Sequence, residues 1–145
     1  MANCVVVAGR RGELERVAAC VVLATTRADV NGLVRRRLDA RKASFLGHEA
    51  AVTGSGMEFG GITPVGLPSD WQVLVDAAVL AVDEAVVGSG VRRSKLALPG
   101  ALLAQLPGQR LGLDRRATLL DHHPAHAAGP QQHLVFAHAA PQYRI

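Results

Sequence analysis

Aromatic residues are scarce in this chain. They make up 3% of its 145 residues, and before residue 107 they are Phe45, Phe59 and Trp71 alone. So few rings exclude a platform on which successive bases of a single strand would stack. Cysteine is nearly missing too. Cys4 and Cys20 have neither the spacing of a redox pair nor that of a metal knuckle. Both read as small buried residues on strands. Without a disulfide framework, a reducing cytoplasm is the expected compartment. No apolar run approaches the ~20 residues of a membrane helix, so no membrane partner is expected. The start, "MANCVVVAG", lacks the basic segment and long apolar core of a signal peptide. Lysine is rare: Lys42 and Lys95 stand against fourteen arginines.

What is present suits one soluble domain of mixed structure. The net charge of +4 and pI near 9.8 permit contact with nucleic acid without demanding it. The excess is spread out. Residues 1–106 hold twelve Lys/Arg and ten Asp/Glu; residues 107–145 hold four and two. Arginine suits phosphate recognition, although biased codon usage would give the same composition.

"NCVVVAG" and "RVAACVVLATT" are β-branched runs around a turn at Gly12, and predict an antiparallel hairpin. "ADVNGLVRRRLDARK" predicts a helix capped by Asp29. Its apolar face is Val30, Leu33, Val34 and Leu38, and Arg35, Arg36 and Arg37 are solvated. "KASF" predicts a short edge strand, and "HEAAV" a helical turn broken at Gly54. "WQVLVD", "EAVVGSG" and "SKLAL" predict strands, and "PGALLAQL" a helix with Pro99 in its first turn. Strands dominate without βαβ alternation. The expected class is therefore α+β with a mixed sheet.

Residues 1–106 are expected to form the domain, and 107–145 a poorly ordered C-terminal extension broken by prolines and glycines. Five of the six histidines fall in that extension. "DHHPAH" has zinc-binding residue types but no scaffold to hold them, so no metal and no other cofactor are expected.

"GMEFGGITPVG", Gly56 to Gly66, is neither helix nor strand. Its glycines allow positive φ and close approach, so that several N–H groups can converge on a phosphate or an oxyanion. Neither nucleotide-binding glycine fingerprint fits it. Composition alone equally describes an ordinary connecting loop.

The order of motifs supplies more. "TGSGMEFGGITPVGLP", then "VLVD", then "VVGSG", resembles the YbaK/ProX family of aminoacyl-tRNA deacylases, related to the editing domain of bacterial prolyl-tRNA synthetases. The matching parts are Thr53-Gly54, Gly60-Gly61-Ile62-Thr63-Pro64-Val65-Gly66, Asp76, and Gly88-Ser89-Gly90. The resemblance implies a curved, partly barrel-like mixed sheet with helices outside. It also implies hydrolysis of the ester joining a wrong small amino acid to tRNA. The partners would be the aminoacylated 3′ end of a mischarged tRNA and an aminoacyl-tRNA synthetase. Gly60, Gly61, Gly66 and Asp76 are then the expected catalytic group. Asn3, Thr53, Ile62, Thr63, Pro64, Gly88, Ser89 and Gly90 are the expected substrate-binding group. His48 reads as a surface helix residue, and the sequence offers no Ser-His-Asp or Cys-His set.

Two departures accompany the likeness. Family members usually begin with a longer N-terminal segment, so this chain is expected to lack it. Many carry a lysine where Asn3 stands, and Asn3 can hydrogen-bond an ester or ribose but supplies no positive charge. The alternatives to a hydrolase are a binding module for the tRNA 3′ end, or a truncated inactive member.

Overall fold

The computed structural model describes residues 1–108. Ten-residue strands β1 (Ala2–Arg11) and β2 (Leu14–Leu23) pair antiparallel from Ala2↔Leu23 to Arg11↔Leu14. Gly12 is the first of the two turn residues, with φ +62°, where a tight hairpin of the II′ kind needs glycine. β3 (Lys42–Phe45) joins the far edge of β1 antiparallel, and β4 (Gln72–Val75) joins β2 parallel. The sheet order is β3-β1-β2-β4. It is a mixed sheet, as expected, but not a closed barrel.

β5 (Ala85–Gly88) and β6 (Lys95–Leu98) do not extend this sheet. They form a separate antiparallel pair that packs over one end of the hairpin. Ala85 and Val87 share a core cluster with Ala2, Val21, Val73, Val75, Val79 and Leu103. The opposite sheet face buries Val7, Ala18, Cys20 and Leu74 against Val34 and Leu38. Each fully buried Val or Leu contributes roughly 1.5–3 kcal/mol, so these two layers hold the sheet from both sides.

Of the stretch 28–42 predicted as a helix, only 30–37 is helical. A π-helical turn, Val30–Val34, leads into α1 (Arg35–Arg37). The Asp29 carboxylate accepts from Gly32 N and Leu33 N, both at 2.9 Å. Val34 N reaches back five residues to Asp29 O, which widens the turn. Asp39 then ends the segment at φ +49°, held by Arg11 through its carbonyl and its carboxylate. Val34 and Leu38 are buried and the three arginines exposed, as the spacing predicts.

α2 (His48–Ser55) runs through Gly54 and stops at Gly56 instead. Gly54 lies under the Trp71 ring, where a Cβ would come within 2.7 Å of Cζ2; the glycine serves packing, not termination. The last segment is a 3₁₀ helix, Gly100–Gln105, rather than an α-helix, with Pro99 before it and Leu103 buried. Among the described residues no helix is long and apolar enough to cross a membrane. The expectations for the extension from residue 109 onward, the "DHHPAH" stretch included, lie outside the described residues.

Asp76 follows β4 and caps α3 (Ala77–Leu80), its Oδ1 accepting from Ala78 N at 2.9 Å. It is 1% exposed, and its Oδ2 has no partner among the described residues. Asp76→Ala should cost about 1 kcal/mol through the lost cap. Urea denaturation would measure it, and an unchanged midpoint would show that the cap contributes nothing.

Candidate functional site

The glycine-rich loop is locked to the turn after β5. Glu58 N donates to Gly90 O at 2.9 Å, and Gly90 N donates to Gly61 O at 2.8 Å. The Glu58 carboxylate accepts from Arg92 N at 2.8 Å. The fit leaves no room for side chains. A Cβ on Gly61 would lie 2.8 Å from Val91 N and closer still to the Val91 carbonyl. A Cβ on Gly88 would lie 2.9 Å from Gly61 C and closer to the Gly61 and Ile62 carbonyl oxygens. Gly60 sits at φ +81°, a conformation that L side chains rarely adopt.

Between this double loop and β1 lies a cavity of about 500 Å³. β3 pairs only with Val7–Arg10, so the edge of β1 near Asn3 is left open toward it. Of the site residues expected from sequence, Asn3, Gly60, Ile62 and Gly88 line the cavity. Gly61 and Gly90 stand behind that wall as the clasp between the loops. Gly61 N–H is spent on Glu58 O at 2.9 Å, whereas Gly60 N–H and Ile62 N–H have no partner among the described residues. Thr63 and Pro64 are buried beneath the loop, the Thr63 hydroxyl accepting from Val65 N at 3.4 Å. Thr53, Gly66 and Asp76 do not line the cavity. Nor does Ser89, whose hydroxyl is bonded to that of Ser94.

Four side chains of distinct chemistry line the cavity without having been expected there. Lys95, at the start of β6, reaches across to donate from Nζ to Gly60 O at 2.9 Å, and lines the cavity beside Gly88, its partner in the strand register. An ammonium has three donors, so two remain for a ligand. His48 stacks on Phe59, with ring centroids 3.9 Å apart and planes at 14°, and the two rings form part of the wall. Cys4 lines it as well, which brings a cysteine and a histidine to one cavity. Burial, with Cys20 beside it, pushes the Cys4 thiol up to about 12, so it stays protonated at neutral pH and is a poor nucleophile. Burial raises Cys20 to about 12 as well. Neither thiol should react with iodoacetamide at pH 8 in the folded protein, and both should react in urea. Mass spectrometry would read this, and rapid labelling of native Cys4 would overturn it.

Among the described residues the lining is otherwise apolar, from Ala2, Val6, Ala51 and Ile62, and contains no carboxylate. A small apolar group fits there, with its polar end against Asn3, Lys95 and the loop backbone.

The family model for an aminoacyl-tRNA editing domain matches residues 1–106. Solved structures share the fold. The hypothetical protein APE2540 aligns with a TM-score of 0.66 at 21% identity, over 77% of this chain and 71% of its own. A proposed trans-editing enzyme for prolyl tRNA synthetase aligns with a TM-score of 0.64 at 21% identity, over 77% of this chain and 67% of its own. No match to a curated protein was found. The match over residues 1–106, which takes in the glycine loop and the β5–β6 pair, makes this chain a member of the aminoacyl-tRNA editing domain family.

Proposed function

We propose that the chain hydrolyses the ester between a wrongly attached small amino acid and its tRNA, in the cytoplasm and acting in trans to the synthetase. The observation that carries this reading is Lys95: a cation bonded to Gly60 O, at the wall of a cavity of suitable size in an editing-domain fold. The ester carbonyl would sit against the free N–H groups of Gly60 and Ile62 and the Lys95 ammonium. A water, held by the vicinal hydroxyl of the terminal ribose, attacks the carbonyl carbon. The negative charge passing to the carbonyl oxygen meets donors already in place, and in many such reactions this contributes more to the rate than any other single effect. The ester C–O bond then breaks, the ribose oxygen takes a proton, and the amino acid leaves. Asn3 would hold the ribose, and the apolar wall of Ala51 and Ile62 would limit side-chain size. Asp76 would act from behind, by fixing the end of β4.

Among the described residues the lining has no carboxylate, and His48 alone could accept a proton there; this favours a second reading, a module that holds the aminoacyl end without turnover. One assay separates the two. Purified protein is offered a panel of mischarged tRNAs, and release of amino acid is timed. Release well above the spontaneous rate for at least one small residue is expected. Tight binding with no release would leave only the binding module.

A further inference from the structure

A groove of about 610 Å³ runs along the β3 edge, lined by Arg10, Arg35, Arg41 and Lys42, with Glu15 as its one carboxylate among the described residues. Arg10 and Lys42 face each other directly across the β1–β3 ladder. Like charges in that position destabilise a sheet. Only Arg10 is compensated, by an ion pair with Glu15. Arg11 and Arg16, nearby, are both spent on Asp39. The exposed side chains of Arg35, Arg41 and Lys42 have no ion pair or hydrogen bond among the described residues. The fold thus gathers three uncompensated cations in one channel at a cost in stability. The channel does not stop there: Phe45 and Leu46 line both it and the cavity beside Gly60.

We infer that this groove seats the phosphate backbone of an RNA strand whose 3′ end enters the cavity. The inference rests on the editing reading for what lies at that end, while the groove itself is argued from charge. Arginine matches phosphate geometry. A strand of phosphates supplies repeated anions along a path, which a single carboxylate ligand would not.

The test uses the whole chain and a triple variant, Arg35→Gln with Arg41→Gln and Lys42→Gln. All three positions are exposed, so the fold should be untouched. A stem-loop RNA with a single-stranded CCA end is titrated by fluorescence anisotropy at several salt concentrations. Losing about three phosphate contacts should reduce the log–log salt slope by about 2, and weaken binding tenfold or more at low salt. A second arm follows hydrolysis of an aminoacyl ester of adenosine, which has no phosphates and should be cleaved equally by both proteins. An unchanged salt slope overturns the inference, as does a loss seen only with phosphatidylserine vesicles. If neither protein cleaves the small ester but the RNA slope still falls, the groove stands and the editing reading fails.

Discussion

Gly61→Ala is expected to lower deacylation about 10²–10³-fold, the usual cost of misplacing one oxyanion donor. The added methyl group would press into the backbone of Val91, which cannot move aside like the end of a flexible side chain. The clasp between Gly61 O and Gly90 N must open, and the N–H groups of Gly60 and Ile62 move with it. Overpacking of this kind typically costs about 1–3 kcal/mol, so the variant should remain folded but melt earlier. Single-turnover release of amino acid from mischarged tRNA, read beside a urea melt, is the measurement. Wild-type turnover in a folded variant would reduce the glycine loop to a connector.

Lys95→Met should be as damaging to turnover, by about 10²–10³-fold, with little effect on stability. Lys95 is half-buried, and among the described residues its side chain makes one bond, to a loop carbonyl. Methionine keeps most of the apolar stem and removes the charge. RNA affinity should fall far less than rate, because one cation is a small part of a polyanion contact. Lys95→Arg retains the charge but presents a planar fork where a compact ammonium fits, so partial recovery is expected. Full activity in Lys95→Met would remove the cation from the mechanism and favour the binding module.

Lys95 shows why some of the site is not legible in the sequence. Its bond to Gly60 spans 35 residues, and depends on the β5–β6 register that sets Lys95 opposite Gly88. No local pattern encodes that. The hairpin is legible because β-branched runs and a turn glycine are local signals. The convergence of Gly60 with Gly88 is legible only through motif order, not through periodicity. The segment after β2 is legible in part. The Asp29 cap and the buried residues Val34 and Leu38 stand where the sequence puts them, but the five-residue reach of Val34 N to Asp29 O, which widens the first turn, leaves no mark in the apolar spacing. The strand-end position of Asp76 points to a place in the site. The same position equally suits a cap on the next turn, and the structure shows that cap, with a second carboxylate oxygen that has no partner among the described residues.

The division into a four-stranded sheet and a separate β5–β6 pair has a consequence for how the protein fails. A two-stranded ribbon is marginal by itself, and here it holds Gly88 and Lys95, two residues of the cavity lining. Regions with few supporting strands open at lower free energy than the core. On warming, β6, half-buried along its whole length, would fray from β5 while Ala85 and Val87 stay in the core and the hairpin still gives a folded spectrum. Function of the site and bulk structure would then decline at different temperatures, and thermal tolerance of the site would be set by four-residue strands rather than by ten-residue ones.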